Sequence, residues 1–377
     1  MADNSNEGLL LQELMNLAPQ LAATANTVLS PIATTRANLR QKLYDEGWIL
    51  PIPSGTDYPK PASMCAIDGA RVTERMYGAD LLVAVATSAE ALYAEHTEPT
   101  LSVVWADIAP HTTELDRVVG AAMAALELTV AHDSQHEIRL LDGSYLTSIL
   151  EFMKGVGASS ADVRNRITSI ITTYHTPEHL SGVLTYNSQR PILALPKSES
   201  NNFYGRMFEE KYGMTIPVSD RILATQILDA GEILRPRALL EWGHVDVQES
   251  SSANKATQKA ADAIREAIKP FQNAVRNETA LTCYYKQTNA SNVLRFEYQT
   301  ETPEQAIPMA YKYATLLGHE TNAPHMLEPM AQWAVDRKAK AISVGTKALR
   351  ASMLNNLTPE QAATWGRYLA EDYRTSH

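Results

Sequence analysis

Short apolar runs alternate with amphipathic stretches between residues 64 and 198, and this alternation restricts the possible fold more than any other feature of the chain. The runs that predict strands are MCAID from residue 64, ADLLVAVATSAEAL from residue 79, LSVVWADI at 101–108, EIRLLDGS at 137–144 and PILALPKS at 191–198. Apolar residues at helical spacing fill the stretches 112–132, 144–157 and 160–174. Strands that alternate with helices predict an α/β core.

The stretch 112–132 is the strongest amphipathic pattern in the chain. Thr112 or Thr113 is expected to cap this helix, because a hydroxyl at that position accepts a hydrogen bond from a free backbone N–H. Glu114 and Asp116 are expected in the first turn, where a negative charge favours the helix dipole.

Polar and proline-rich segments interrupt the rest of the N-terminal half. Residues 6–46 show helical spacing, and breaks are expected at Pro19 and Pro31. The segment PIPSGTDYPKPAS at 51–63 is expected to be a loop. Further along, the polar stretch 245–260 predicts a flexible loop or the edge of an insertion.

In the C-terminal half, the stretch 218–232 predicts a helix that is capped by Ser219 and ended by Gly231. Two β-rich runs, at 280–287 and 292–300, flank the turn TNAS and predict a hairpin. The remainder of the chain predicts helices. The expected organisation is an N-terminal helical segment at 1–50, a core at 60–345 with an insertion around 235–280, and a C-terminal helical segment at 346–377.

The composition excludes several classes of protein. The chain has 377 residues and carries 33 Lys and Arg against 43 Asp and Glu, a formal net charge of −10, which excludes a polybasic DNA-coating protein but not an enzyme with one basic groove. Cys65 and Cys283 lie in apolar runs, so they are expected to be buried thiols and not a disulfide or a zinc site. Without a signal peptide or a long apolar span, a cytoplasmic protein outside the membrane is expected.

Two segments, CAIDGAR and RLLDGSY, carry the strongest chemical signal. Each is an apolar run that ends in Asp-Gly, which places the carboxylates of Asp68 and Asp142 at the ends of buried strands. Two such carboxylates on neighbouring strands can bind a hard cation such as Mg²⁺ or Mn²⁺ together. The alternative is that each Asp-Gly pair marks only a turn.

Glu127 and Lys197 are further candidates. Glu127 lies in MAALELTVA among apolar neighbours, and a carboxylate there is costly to bury unless it is paired or bound to a metal. The alternative is a position at the edge of a helix face. Lys197 lies where an apolar strand meets a polar loop, and it would neutralise charge on a phosphate, or else begin a surface loop.

Several other sites find no support in the sequence. The ten histidines form no HExxH pattern, and Pro177 between His175 and His179 argues against a helical metal pair, so no zinc site is expected. A phosphate-binding loop, a dinucleotide-binding GxGxxG motif after a strand and a GxSxG motif are all absent from the sequence.

Taken in order, these segments resemble the NurA family of nucleases. The resemblance spans about 60 to 340 and is carried by AIDGAR at 66–71, LLDGSYL at 140–146, LALPKS at 193–198, VSDRILATQILDAGE at 218–232, and CYYKQ followed by LRFEY at 283–298. It implies an RNase H-like fold, in which helices flank a mixed central sheet, with extra helical segments at both ends.

The resemblance also implies which residues form the site. The family's two strand-end aspartates match Asp68 and Asp142 as metal ligands, and its helical glutamate matches Glu127. Its serine-lysine element matches Lys197, with Pro196 in place of the usual serine.

The C-terminal motif departs from the family pattern of Gly-Tyr-Pro followed by a His or Asp. The segment LEPMAQWAVDRKAKA at 327–341 fits the spacing best: Glu328 falls at the tyrosine, Pro329 at the proline and Asp336 at the His or Asp. The basic residues of the family's helix then match Arg337, Lys338 and Lys340. Another register would use GHETNAPH, with His319 or His325, and Asp336 would then belong to an exposed, salt-bridged helix face.

The function implied is metal-dependent hydrolysis of DNA. Asp68, Asp142, Glu127 and Asp336 would hold one or two Mn²⁺ or Mg²⁺ ions, with Lys197 at the phosphate and Arg71, Arg337, Lys338 and Lys340 at the DNA backbone. The resemblance further implies 5′→3′ exonuclease and single-strand endonuclease action, a homodimer, and a HerA-like hexameric ATPase as partner in DNA end processing.

Two other readings stay open at this point. Asp142, Glu151 and Lys154 resemble a restriction-type D…ExK site, but the spacing here is E-x-x-K on a predicted helix. Alternatively, the altered C-terminal motif is compatible with a catalytically inactive NurA-like scaffold for a DNA translocase.

Overall fold

The computed structural model describes residues 4–55, 58–91, 97–197, 202–216, 218–239, 251–321 and 328–370. The strands are β1 (Ile49–Pro51), β2 (Met64–Arg75), β3 (Asp80–Glu90), β4 (Ser102–Ala109), β5 (Ile138–Asp142), β6 (Ile192–Leu195), β7 (Glu232–Ala238), β8 (Ala280–Lys286) and β9 (Leu294–Gln299). The helices are α1 (Asn4–Asn16), α2 (Ala18–Asp45), α3 (Leu115–Asp133), α4 (Tyr145–Val156), α5 (Ala161–Thr173), α6 (Thr176–Leu184), α7 (Phe203–Tyr212), α8 (Asp220–Ile227), α9 (Lys255–Arg276), α10 (Ala306–Glu320), α11 (Met330–Lys340) and α12 (Ile342–Asn355). Short helical turns at Pro359–Gln361 and Arg367–Ala370 follow α12.

The strands are hydrogen-bonded in the order β1-β7-β8-β9-β6-β5-β2-β3-β4. Strands β2, β3 and β4 form an antiparallel meander. β5 pairs parallel to β2 and β6 parallel to β5, whereas β9 pairs antiparallel to β6. Each parallel pair requires a crossover, and helices supply it: α3 before β5, and α4 to α6 before β6. The expected mixed sheet with flanking helices is confirmed.

Strand β2 is longer than its apolar run. The prediction that the strand ends at Asp68-Gly69 is wrong, because β2 continues to Arg75 and pairs with β3 from Cys65 opposite Glu90 to Arg75 opposite Asp80. The second half of β2 alternates between half-buried and exposed residues, so pairing with β3 and not burial keeps it extended.

The chain divides into two compact units. The larger unit comprises Ser54–Lys197, Pro236–Cys283 and Leu294–His377. Helix α3 is its central element and packs on β2 and β3 as well as on α4, α5 and α6. The helix is buried over most of its surface, and many of its buried residues are small, namely Gly120, Ala121, Ala122, Ala124 and Ala125. Small residues allow helices and strands to approach α3 from several sides.

The smaller unit comprises Met1–Pro53, Ser198–Arg235 and Tyr284–Val293. Its core contains the buried aromatic residues Tyr204, Phe208 and Tyr284. Arg40 on α2 binds both carboxylate oxygens of Glu232 at 2.6 Å, the bidentate geometry that gives strong charge-assisted hydrogen bonds.

Several local predictions are wrong for identifiable reasons. The predicted break at Pro31 does not occur, since α2 runs from Ala18 to Asp45, although the chain does break before Pro19. Neither Thr112 nor Thr113 caps α3. The cap residue is Glu114, whose carboxylate instead accepts hydrogen bonds from Ser159 and Ser160 ahead of α5.

The segment 218–232 is helical only from Asp220 to Ile227, with Ser219 at the cap position. Gly231, at φ +80°, forms the turn into β7, a strand that the sequence conceals because it contains Arg235, Pro236 and Arg237.

The predicted loop at 245–260 is helical from Lys255, where α9 begins, and 245–250 lies outside the described residues. The buried face of α9 includes the small residues Thr257, Ala260 and Ala261, which weakens its apolar pattern in the sequence.

Two further local expectations, the hairpin and the buried cysteines, are confirmed. The hairpin is formed by β8 and β9, and both Cys65 and Cys283 are buried free thiols. Within the described residues, no helix has the length and apolar character needed to cross a membrane.

The position of α3 generates a stability prediction. Leu126 is fully buried in the core of the larger unit, so Leu126→Ala is expected to lower the free energy of unfolding by about 2–5 kcal/mol through lost apolar contacts and a residual cavity. Urea unfolding followed by circular dichroism measures this. The control is Val104→Ala, at a side chain that is 61% exposed on β4, where a change within about 0.5 kcal/mol is expected. Equal losses in the two variants would contradict the central role of α3.

Candidate metal centre

The parallel strands β2 and β5 bring two carboxylates together. Their register pairs Ile67 with Leu141, so Asp68 and Asp142 are neighbours where β5 ends. Helix α11 contributes Asp336 from a distant part of the chain. One carboxylate oxygen from each of Asp68, Asp142 and Asp336 lies within 4.8 Å of the others. The carboxyl ends of parallel strands are a common location for ligand sites in α/β proteins.

Asp68 is almost completely buried, with 6% of its surface exposed. Burial, and to a smaller extent the nearby charge of Asp142, raise the pKa of its carboxyl to about 7. The backbone N–H of Gly69 donates a hydrogen bond to Asp68 Oδ1 at 2.8 Å, which favours the ionised form without offsetting the burial. The positive charge around this carboxyl is therefore too small to keep its pKa at the ordinary value of an aspartate.

Glu127 lies directly above this strand, on α3. A Cβ atom at Gly69 would lie 2.5 Å from Glu127 Oε1, so a larger residue there would displace the carboxylate from this position. Burial raises the pKa of Glu127 well above its ordinary value, with further contributions from the charges of Asp68 and Asp142. Glu127 thus borders the cluster, but it does not belong to the set of three ligand atoms within 4.8 Å.

The Asp142-Gly143-Ser144 turn is held by a buried glutamate. Gly143 adopts φ +97°, a conformation that other L-residues rarely adopt, and Ser144 caps α4. Glu297 on β9 accepts hydrogen bonds from the Ser144 hydroxyl at 2.8 Å and from Tyr145 N–H at 3.2 Å. Its other oxygen pairs with Arg295 at 2.7 Å. This network fixes the turn that aims Asp142 into the cluster.

Lys197 supplies a positive charge among the carboxylates. Its ammonium lies 2.9 Å from Asp142 Oδ2, 2.9 Å from Glu328 Oε2 and 3.9 Å from Asp336 Oδ1. Burial alone would lower the pKa of Lys197, but hydrogen bonds to Asp142 and Glu328 outweigh it and raise the pKa above its ordinary value. The side chain remains 43% exposed, so a molecule in solution can reach it.

Sequence reasoning missed Gln332 and assigned no role to Glu328. The buried Gln332 amide donates to Asp142 Oδ1 at 2.6 Å and to the carbonyl oxygen of Leu195 at 3.3 Å, and so ties α11 to β5 and β6. Glu328, Gln332 and Asp336 are spaced by four residues, so they follow one face around the start of α11. In the sequence this polar repeat lies next to an apolar repeat of Ala331, Val335 and Ala339. The two repeats together are the signal that would have identified Glu328 and Gln332.

The predicted basic residues make several different contacts. Arg71 donates to the carbonyl oxygen of Asp116 at 3.3 Å and lies 3.7 Å from Glu151. Lys340 pairs with Asp336 at 2.8 Å. Lys338 donates to the carbonyl oxygen of Ser88, and Arg337 lies 5.0 Å above the Trp333 ring. Arg337, Lys338 and Lys340 are exposed.

The competing site assignments gain no support. Glu151 and Lys154 lie on α4 and pair with each other at 3.0 Å, so no strand carries an E-x-K element at this position. His319 is an exposed residue of α10 and is not in the aspartate cluster, and His325 lies outside the described residues. Of the described candidates from the two registers of the C-terminal motif, Asp336 is the one that lies beside Asp68 and Asp142.

Comparison with known proteins identifies the fold. No protein-family model matches the chain, and no curated protein matches it. The crystal structure of the NurA nuclease from Sulfolobus solfataricus matches with a TM-score of 0.55 at 12% identity, over 91% of this chain and 97% of that chain. A structure of NurA bound to dAMP and manganese matches with a TM-score of 0.54 at 13% identity, over 92% and 99% of the two chains. A structure of NurA with manganese gives a TM-score of 0.51 at 11% identity, over 90% and 99%. The resemblance drawn from the motifs is therefore confirmed in the fold.

The burial of Asp68 makes stability depend on pH. Its pKa is raised from 3.8 to about 7, so between these values the folded protein holds a proton that the unfolded chain releases. The free energy of unfolding of the metal-free protein is therefore expected to fall as the pH rises from about 4 to about 7. Asp68→Asn removes the contribution of this carboxyl and is expected to make the slope shallower, whereas Asp262→Asn, at an exposed carboxylate, should leave the slope unchanged. Urea unfolding in EDTA across this pH range tests the expectation, and an unaltered slope in Asp68→Asn would contradict it.

Proposed function

We propose that this chain, which has the NurA fold, is a deoxyribonuclease that depends on a divalent metal ion held by Asp68, Asp142 and Asp336. The observation that carries the proposal is the convergence of these three carboxylates, from β2, β5 and α11, with the Lys197 ammonium beside them. Manganese and dAMP are bound to one of the NurA proteins that this chain resembles in fold, and they support the choice of metal and of substrate class.

The donor set fits Mn²⁺ or Mg²⁺. The ligand atoms are carboxylate oxygens, which hard divalent cations prefer over softer metals. Glu328 adds a further carboxylate beside Lys197, and Glu127 adds a carboxyl whose raised pKa a bound cation would lower. A bound divalent ion in such a site lowers the pKa of a coordinated water and stabilises negative charge on a phosphate.

The residues of the chain have separable roles in this proposal. Asp68 and Asp142 anchor the site on the sheet, and Gln332 orients Asp142 through its 2.6 Å hydrogen bond. Lys197 would bind a non-bridging oxygen of the scissile phosphate, since it is a half-exposed cation at the edge of the cluster. Glu127, with its raised pKa, would hold a proton until a cation binds.

Helix α11 would place the DNA backbone against the site. The helix carries Asp336 on the face that meets the sheet, and Arg337, Lys338 and Lys340 at exposed positions within the next turn. Cations of this kind bind phosphates irrespective of sequence. The net charge of −10 is then compatible with DNA binding, because the attraction is local to this helix and to Arg71 on β2.

The finer activity follows from the resemblance to NurA. We propose 5′→3′ exonuclease and single-strand endonuclease action in DNA end processing, a homodimer, and a HerA-like hexameric ATPase as partner. In the smaller unit, α1, the start of α2 and the residue between them expose large apolar side chains, which supports a protein–protein contact. These residues are Leu11, Leu14, Met15, Leu17 and Leu21. Light scattering of the purified chain is expected to give twice the 41.5 kDa of one chain, and a monomer at all concentrations would contradict the dimer.

A catalytically inactive scaffold is the second candidate. Glu328 stands where the family has tyrosine, and the ammonium of Lys197 bridges Asp142 and Glu328, a contact that can neutralise the two carboxylates in place of a metal ion. Such a protein need not bind Mn²⁺ or cleave DNA, so the two candidates give opposite results in the next experiment.

Removal of one aspartate tests the metal site. Asp142→Asn keeps the size of the side chain but removes its charge, so Mn²⁺-dependent cleavage of end-labelled single-stranded DNA is expected to fall by about 100-fold or more. Asp262→Asn is the matched control, because Asp262 is 70% exposed and pairs with Arg265 on its own helix. Circular dichroism should show both variants folded. Cleavage that persists in Asp142→Asn or in EDTA would exclude this site, and the absence of both Mn²⁺ binding and cleavage in the unmodified chain would favour the scaffold.

Arg337 tests the proposed DNA surface. Arg337→Ala is expected to weaken binding to DNA of any sequence and to reduce the slope of log affinity against log salt concentration by about 1, because one phosphate contact is lost. Fluorescence anisotropy with two unrelated oligonucleotides, in Ca²⁺ to prevent cleavage, measures both quantities. Arg276→Ala, in the last turn of α9, is the control. An unchanged salt slope in Arg337→Ala would place the DNA elsewhere.

A further inference from the structure

Trp333 exposes a large aromatic ring on the helix that carries Asp336. Its neighbours Ala331, Gln332 and Val335 are buried, whereas 39% of the surface of Trp333 is exposed. An indole ring is one of the largest apolar surfaces that a side chain offers, and its exposure gives up the stabilisation that burial would provide. A single exposed apolar residue is ordinary on a protein surface, so the surroundings of Trp333 decide its role.

Trp333 begins a stripe of exposed residues along α11. Arg337 and Lys340 follow at four and seven residues, and both are exposed, so the three side chains lie on one face of the helix. The guanidinium of Arg337 lies 5.0 Å from the centroid of the Trp333 ring. Asp336, three residues after Trp333, is adjacent to it on the helix surface. The stripe therefore runs beside the aspartate that α11 brings to the candidate metal centre.

This stripe combines the two kinds of group that bind a single strand of DNA. Aromatic rings stack on bases, and cations contact the phosphates between them. In a duplex each base is paired and stacked between its neighbours, so its face is not available to a protein ring. An unpaired base offers that face. The combination of Trp333 with Arg337 and Lys340 is thus complementary to an unpaired strand.

Arg337 and a base would compete for the same ring. A cation over an exposed ring contributes less than a base that stacks on it, so a base is expected to displace the guanidinium. The displaced Arg337 side chain would then be free to bind a phosphate of the same strand. Stacking on Trp333 and the phosphate contact of Arg337 are in this way parts of one exchange.

We infer that Trp333 is a base-stacking residue, which selects single-stranded DNA or the unpaired end of a duplex at the metal centre. This inference rests on the proposed function, because it assigns the substrate class of the same site. Trp333 is adjacent to Asp336 on α11, so the stacked base would belong to a nucleotide close to the scissile phosphate. Trp333 acts as a positioning residue: it holds the strand, and the aspartates hold the metal.

Binding of a labelled single strand to the full chain tests this role, with fluorescence anisotropy in Ca²⁺ to prevent cleavage. Trp333→Ala is expected to weaken the affinity by about 10-fold, because one base loses its stacking partner. Trp333→Phe keeps an aromatic face and is expected to retain most of the affinity. The slope of log affinity against log salt concentration should stay unchanged in Trp333→Ala, since no phosphate contact is lost.

Two further ligands separate stacking from a structural role of Trp333. An oligonucleotide with an abasic site at every position has phosphates but no bases, so the unmodified chain and Trp333→Ala are expected to bind it equally. Relaxed circular duplex DNA, which has no unpaired end, should also bind both proteins equally in a filter-binding assay. Equal losses for all three ligands, or a reduced salt slope, would show that the substitution disturbs α11 and would overturn the inference.

A control variant and the unmodified chain separate this inference from the proposed function. Tyr44→Ala removes an aromatic residue that is 49% exposed on α2, and it is expected to leave binding unchanged. Undiminished binding of the single strand by Trp333→Ala would overturn the inference and leave the proposed metal-dependent nuclease intact. Failure of the unmodified chain to bind any of the three ligands would instead contradict the proposed function, and the inference with it.

Discussion

The parallel pairing of β2 with β5 sets two carboxylates side by side, and the surrounding structure compensates for the resulting repulsion. Burial and the charge of Asp142 raise the pKa of Asp68 to about 7. The Gly69 N–H, the Lys197 ammonium and the Gln332 amide each direct a donor at one of the two aspartates. These donors reduce the cost of the cluster but leave it acidic, which is the condition under which a divalent cation binds most strongly.

The proposed site is rigid because its parts come from packed elements. Asp142 is held by a turn that Glu297 fixes from β9, and Glu127 is held above Gly69 by the buried helix α3. Helix α11 adds Asp336 and, at exposed positions of the same helix, a row of cations. A ligand set positioned to within a fraction of an ångström by packed strands and helices favours one metal geometry, as metal-assisted hydrolysis requires.

Local patterns in the sequence predicted most strands of the central sheet and placed Asp68 and Asp142 on two of them. They could do so because an apolar run followed by Asp-Gly is typical of a buried strand and a turn in any protein. Local patterns did not predict contacts made across the chain: Gln332 on Asp142, or Glu297 on Ser144. Those pairs are separated by 190 and 153 residues, and no periodicity connects them. Strand β7 was missed for a different reason, since Pro236 and its arginine neighbours conceal a strand that tertiary pairing stabilises.

The central claim is that Asp68, Asp142 and Asp336 hold one divalent metal site. A crystal structure of the chain soaked in MnCl₂, with anomalous data collected near the manganese absorption edge, tests it most directly. The account predicts an anomalous peak bonded to oxygens of Asp68 and Asp142, with Asp336 bonded directly or through a water. Anomalous density located only elsewhere, or none at these aspartates in a crystal in which Lys197 still bridges Asp142 and Glu328, would contradict it.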